Sequence, residues 1–241
     1  MTPPAVQPLV LTGAVALLGG GCMSGIDKKP APGPWRIDAG GLRGDAQADL
    51  AHHGGPEKAL HHYAFDHYAA WRAEIGPAAP LATPGAFGEN LSTKGWTEDN
   101  VCLGDIVEFG TALLQVSQGR QPCWKLNRRF GVADMARRVQ KSGRAGWYYR
   151  VLADGIAKPG DRLILAERPC PDWPLSRLNR LLYLETGDRT GLFAMAELAP
   201  LAQGWRRLAR RRLENGRVES WDMRLEGPAT GGEIATGGRS F

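Results

Sequence analysis

A cysteine set between two cations is the clearest chemical feature of the chain. Cys123 lies in Gln118-Gly119-Arg120-Gln121-Pro122-Cys123-Trp124-Lys125-Leu126-Asn127, directly after a strand-like run from Ala112 to Ser117. Arg120 and Lys125 flank the thiol, and nearby cations favour the thiolate, the form that binds metals or attacks electrophiles. A strand end and a proline-stiffened turn would hold that sulfur in place. The residues alone leave both roles open, nucleophile and metal ligand.

Other segments carry parts of an anion site. In His53-Gly54-Gly55, followed by Pro56, the glycines let backbone N–H groups approach a ligand closely, and a helix opening at Pro56 would add positive partial charge. Ser24-Gly25-Ile26-Asp27-Lys28-Lys29-Pro30 puts a hydroxyl, flexible backbone and an ammonium in one loop, the groups needed to hold a phosphate. Asn90, in Gly88-Glu89-Asn90, offers an amide with donor and acceptor. Each has a plainer reading as a turn or a solvated loop. All five histidines (His52, His53, His61, His62, His67) crowd together. They lack the H-E-x-x-H spacing of a helical zinc site, which weakens a metal reading of the cluster.

These residues need elements to position them. The apolar stretch from Leu9 to Leu17 is expected as a first strand, followed by a glycine loop. Leu17-Leu18-Gly19-Gly20-Gly21-Cys22 superficially resembles a lipoprotein cleavage site, but no Lys or Arg precedes Lys28, so the basic segment of a secretory signal is missing. Residues 34 to 45 read as a short strand and a glycine-rich turn. Pro56 opens a predicted helix running to about Glu74, with Leu60, Tyr63, His67 and Trp71 at helical spacing, and Pro77, Pro80 and Pro84 end it. Strands are expected at Asp105–Phe109, Ala112–Ser117, Trp147–Leu152 and Arg162–Ala166, with a helix at Ala133–Lys141. Many short strands with glycine turns suggest a closed or nearly closed β-barrel. Past a boundary at Pro169 to Pro174 the pattern turns helical: Leu175–Leu184, Thr190–Leu198 and Leu201–Leu213. The expected organisation is a barrel over 1–168, a three-helix domain over 172–226 and a disordered tail over 227–241.

Composition sets outer bounds. At 241 residues, 43% hydrophobic and 23% charged, with 32 glycines, the chain has the make-up of a turn-rich globular protein. Its four widely spaced cysteines contain no C-x-x-C pair, which fits a reduced cytoplasmic protein rather than a disulfide framework. The net charge of +5 is concentrated in Arg206, Arg207, Arg210, Arg211, Arg212 and Arg217. Without aromatic stacking groups these are read as a solvated helix face, so neither nucleic acid nor a membrane is expected as a partner.

Taken in order, Ser24-Gly25-Ile26-x-Lys28, Gly41-Leu42-x-Gly44-Asp45, His53-Gly54-Gly55-Pro56-x-Lys58-Ala59, Phe87-Gly88-Glu89-Asn90-Leu91, Gly104-Asp105 and Gln118-x-Arg120-x-Pro122-Cys123-x-Lys125-Leu126 resemble a MOSC domain. Such domains form the C-termini of molybdenum cofactor sulfurases and also stand alone. The likeness is strongest to the bacterial YiiM-type proteins, associated with 6-hydroxylaminopurine resistance, and runs from about residue 8 to 225. The resemblance implies a mainly β fold with helices, a MOSC β-barrel plus a small C-terminal helical bundle. It implies a molybdenum cofactor held in the barrel cleft, with Cys123 as thiolate ligand to the metal. Ser24, Gly25, Lys28, His53, Gly54, Gly55, Asn90 and Arg120 would surround the anionic pterin and its phosphate. The implied activity is reduction of N-hydroxylated compounds to amines, with electrons from a separate, flavin-containing reductase. The alternative is a cofactor carrier or sulfur-transfer module that does not turn over.

Overall fold

The computed structural model describes residues 3–19, 21–48 and 54–228. His52, His53 and the tail from Ala229 lie outside the described residues. Six short strands come first: β1 (Leu9–Thr12), β2 (Ala16–Leu17), β3 (Met23–Ser24), β4 (Lys29–Pro30), β5 (Trp35–Asp38) and β6 (Gly41–Leu42). Then follow β7 (Leu60–Ala64), α1 (His67–Ile75), β8 (Leu91–Thr93), β9 (Ile106–Phe109) and β10 (Ala112–Gly119). Two short helices, α2 (Lys125–Phe130) and α3 (Met135–Ser142), lead to β11 (Trp147–Ala153), β12 (Gly155–Ala157) and β13 (Leu163–Glu167). Helices α4 (Leu175–Tyr183), α5 (Arg189–Glu197), α6 (Gln203–Asn215) and α7 (Asp222–Glu226) finish the described chain.

Eight strands form one sheet in the order β13-β9-β10-β11-β7-β8-β1-β4, antiparallel except for the parallel pair β7–β8. The sheet curls into a half-barrel, and its two ends approach where Val6, just before β1, exchanges hydrogen bonds of 3.1 and 2.8 Å with Leu163 of β13. The concave side is filled by apolar side chains, among them Val10, Leu60, Val107, Leu114 and Trp147, in the packed manner of small barrels. The first expected strand is split in two: β1 stops at Thr12, and Ala16–Leu17 pairs instead with Met23–Ser24.

The predicted helix from Pro56 to Glu74 is corrected. Pro56–Lys58 is a single 3-10 turn, residues 60–64 are strand β7, and only His67–Ile75 is helical. β7 runs inside the sheet between β11 and β8, so every residue from Leu60 to Ala64 is buried. A strand covered on both faces shows no apolar–polar alternation, and the i, i+3 recurrence of apolar residues there is incidental.

The three helices α4, α5 and α6 pack against the sheet rather than beside it. Leu178, Leu192, Met195 and Trp205 belong to the same apolar cluster as the strand residues. Ala202 N–H donates to Ser117 O at 2.9 Å, fixing the start of α6 on the end of β10. A second apolar cluster, with Tyr63, Trp71, Phe87, Leu126 and Phe130, lies under α1, α2 and α3. The arginines of α6 are largely engaged. Arg206 and Arg210 both donate to Ala196 O, one of the carbonyls left without a helical partner in the last turn of α5, and Arg212 is buried against Glu219. Among the described residues no helix is long and apolar enough to cross a membrane.

Candidate functional site

β10 ends at Gly119, and the chain then bends away from the sheet toward α2. Arg120 N–H still donates to Gly146 O at 2.9 Å, just ahead of β11, so the bend starts from a fixed point. Cys123 follows, 6% exposed, with its carbonyl accepting from Leu126 N–H at 3.0 Å in the first turn of α2. Leu126 and Phe130 sink α2 into the second apolar cluster. The segment around α7, which the sequence did not announce, returns to brace this turn. Trp124 N–H donates to Arg224 O at 2.7 Å and the Asn127 amide donates to Leu225 O at 2.8 Å.

The opposite wall is the stretch after β3. Ser24 Oγ accepts from Ile26 N–H at 3.3 Å, which tightens the turn. Gly25 is required by close approach, since a Cβ there would stand 2.0 Å from Ala46 O. Lys28 is 5% exposed and pairs with Asp45. Asp45 is a junction: its second oxygen accepts from Gly13 N–H at 2.9 Å, and the Asn90 amide donates to it at 2.9 Å. Asn90 also donates to Leu11 O at 3.3 Å and accepts from His61 N–H at 3.0 Å. Both amide N–H donors of Asn90 are therefore committed within the protein. Its neighbour Glu89, fully buried, holds the preceding loop by accepting from Gly85 N–H, Phe87 N–H and Tyr68 O–H.

Between these walls lies a pocket that opens to solvent on one side. Seven residues singled out from the sequence line it together: Ser24, Gly25, Lys28, Asn90, Arg120, Cys123 and Lys125. Gly54 and Gly55 precede the 3-10 turn and are not part of this lining. Sequence reading gave no site role to His61, Tyr148 or Gln47, and passed over Ile26, Phe87 and Gly88 although they stand in quoted motifs. His61 and Tyr148 come from interior strands, where nothing in the sequence marks a side chain as facing a cavity. His67, by contrast, is bound to Glu98 at 2.6 Å away from the pocket, and His62 is held between Tyr149 and Thr93. No cluster of three or more metal-ligating side chains occurs among the described residues.

The lining contains Lys28, Arg120 and Lys125 but no carboxylate among the described residues. Burial pulls the Lys28 ammonium down, while Asp45 opposes that shift. Lys28 and Asp45 thus largely cancel. Arg120 has no such partner: it is 5% exposed, its Nη1 makes no hydrogen bond, and none of the described carboxylates pairs with it. A buried, uncompensated guanidinium costs several kcal/mol, so an anionic ligand would gain affinity here. Gln47 Oε1 and His61 Nε2 are also buried without partners. Burial, with the Arg120 charge adding to it, holds the His61 imidazole well below its ordinary range, so it is neutral at pH 7. Burial pushes the Tyr148 phenol up, although Arg120 beside it works in the other direction. The described lining is therefore electropositive and supplies one buried thiol.

Comparison with known proteins shows what the chain as a whole is similar to. Residues 49–164 match the model described as "MOSC domain", and residues 173–216 match "YiiM-like, 3-alpha helix domain". The chain is 38% identical to Protein YiiM of Escherichia coli (strain K12) over 90% of its own length and 97% of that protein. It is 43% identical to a protein named Reductase from Gibberella moniliformis, over 75% of this chain but only 33% of the fungal one. The crystal structure of YiiM from Escherichia coli superposes with a TM-score of 0.79 at 34% identity, covering 93% of this chain and all of that one.

Proposed function

The chain belongs to the MOSC-domain proteins of the YiiM type, and on that premise we propose that it binds a molybdenum cofactor through Cys123 and reduces N-hydroxylated compounds to amines. The observation that carries this reading is a buried thiol and a buried guanidinium that no described carboxylate neutralises, in a pocket whose described lining holds no carboxylate. That donor set fits the group. A thiolate is a soft ligand suited to a thiophilic metal, and Arg120 supplies charge for an anionic pterin phosphate. Lys28 adds an ammonium at the opposite wall, and Ser24 and Gly25 bring backbone close to the same space.

When bound, the cofactor would supply the two-electron chemistry of the net reaction R–NH–OH + 2 e⁻ + 2 H⁺ → R–NH₂ + H₂O. The protein's own residues do the rest. Cys123 anchors the metal, and α2, held down by Leu126 and Phe130, fixes where its sulfur points. Phe87 and Ile26 exclude water from the closed side of the pocket. Asn90 works indirectly, by keeping Asp45, and through it Lys28, in register with β1 and β7. Electrons would come from a separate reductase. The fungal relative named Reductase fits that division, since this chain matches only a third of its length.

The test is to incubate the metal-loaded protein with 6-hydroxylaminopurine and a chemical reductant and to quantify adenine. Amine formation that depends on molybdenum supports the reading. Cofactor retained with no amine formed would instead make the protein a carrier or a sulfur-transfer module.

A further inference from the structure

The β2–β3 hairpin forms the outer lip of the pocket, and its two faces differ. Register places Leu17 directly opposite Met23 and Ala16 opposite Ser24. Side chains alternate along a strand, so the same β3 that turns Ser24 into the pocket turns Met23 the other way. Val15, two residues before Leu17, shares the outer side. Val15, Leu17 and Met23 are 37%, 66% and 48% exposed, an apolar ridge that no described residue covers.

Cations hold this ridge to α2 and surround it. Lys125 Nζ donates to Met23 O at 3.4 Å and Arg128 to Gly19 O at 2.7 Å. The Arg128 guanidinium also lies over the Trp124 ring, 4.8 Å from its centroid. The nearby carboxylate, Asp27, is answered twice, by Lys29 at 3.0 Å and Arg129 at 2.7 Å. Among the described residues, Lys125, Lys29 and Arg129 against Asp27 leave the lip positive. An apolar centre with a charged rim is the anatomy of a transient protein interface, where the rim steers encounter and the centre holds it.

We infer that the β2–β3 lip, with α2 behind it, is the docking surface for an acidic electron-donating protein. The inference rests on the reductase reading of the pocket. Charge complementarity selects an acidic partner. Position selects an electron donor, because a protein seated on Leu17 and Met23 abuts the residues that bring Ser24 and Cys123 to the pocket. A three-residue ridge on a two-stranded turn is also far smaller than the amphipathic helices that lie in membrane surfaces.

The experiment uses metal-free protein, wild type, Leu17→Glu and Met23→Glu, titrated with an acidic flavodoxin by calorimetry at low and at high salt. The same three proteins, loaded with cofactor, are assayed with reduced methyl viologen as a small electron donor. Expected are flavodoxin binding by the wild type that weakens with salt, and affinity lower by about tenfold or more in each variant. Viologen-driven turnover should be unchanged in both variants. The inference is overturned if the wild type does not bind flavodoxin or if the variants bind it equally well. It is also overturned if the ridge proves to serve phosphatidylserine vesicles or self-association, either one abolished by the same substitutions. A wild type that binds flavodoxin yet makes no amine with viologen counts against the reductase reading alone, because the binding arm needs no metal.

Discussion

His62 shows how much of the site's rigidity is stored in single buried groups. Its ring is fully buried, hydrogen-bonded at 3.0 Å to Tyr149 and at 2.8 Å to Thr93, with Trp147 4.2 Å from it centroid to centroid. Burial pulls its imidazole from the usual 6.5 down to about 3. The unfolded chain takes up a proton below about pH 6.5 that the folded chain refuses until about pH 3, so stability falls as pH drops through that window. The loss from His62 is on the order of several kcal/mol, and His61, displaced in the same direction, adds to it. His62→Gln should therefore be less stable at neutral pH yet lose much less on acidification. Urea midpoints at neutral pH and at about pH 5 measure this, and parallel losses in the two proteins would contradict it. The chemistry of Cys123 and Arg120 was legible in the sequence because cations around a thiol are a local pattern. His62 and His61 were not, since which face of a buried strand meets a cavity depends on strands far away in the chain.

At the scale of elements, the strand β7 is the piece that sequence reading mistook for helix and on which the pocket depends. It supplies His61 to the lining and ties to Asn90 through that residue's backbone N–H. The turn before β11 presses against it at Gly146, where φ is +79° and a Cβ would stand 2.3 Å from His62 O and 2.8 Å from His61 Nε2. Neither backbone can yield cheaply, because Gly146 N–H donates to Glu98 at 2.6 Å and its carbonyl receives Arg120 N–H. Gly146→Ala should cost about 3 kcal/mol or more in chemical denaturation, from positive-φ strain combined with overpacking. It should also weaken cofactor retention by displacing Arg120. A loss below about 1 kcal/mol would show that the turn relaxes freely. Strands at β9, β10, β11 and β13 were read nearly to the residue, because each is rich in β-branched, aromatic or aliphatic residues and ends at a glycine or proline turn. The short α2 and α7 escaped because a helix of one or two turns leaves no periodicity to count.

Over the whole molecule, sheet and C-terminal helices are organised around the same end of β10. The helical domain proposed for residues 172–226 has no core apart from the sheet's: Leu178, Met195 and Trp205 share one cluster with Val107, Leu114 and Trp147. Trp205 and Asn179 close on Gly119, immediately before Arg120, where a Cβ would meet them at 3.1 and 2.7 Å. The helices thereby hold the point from which the site departs, while α7 braces Trp124 on the far side of Cys123. The change to helical pattern after Pro174 was plain in the sequence. That these helices would pack on the sheet and reach back to Cys123 was not, because contact between distant segments leaves no mark in local spacing.

The central claim is that Cys123 holds a molybdenum cofactor, and metal content tests it directly. Wild type and Cys123→Ala are purified side by side from cells supplied with molybdate and analysed for molybdenum and released pterin, with circular dichroism confirming that both fold. The wild type is expected to carry molybdenum and pterin in equal amounts. Cys123→Ala should lose most of the metal and all reduction of hydroxylaminopurine. A Cys123→Ala protein that kept its full molybdenum content and full molybdenum-dependent activity would contradict the account.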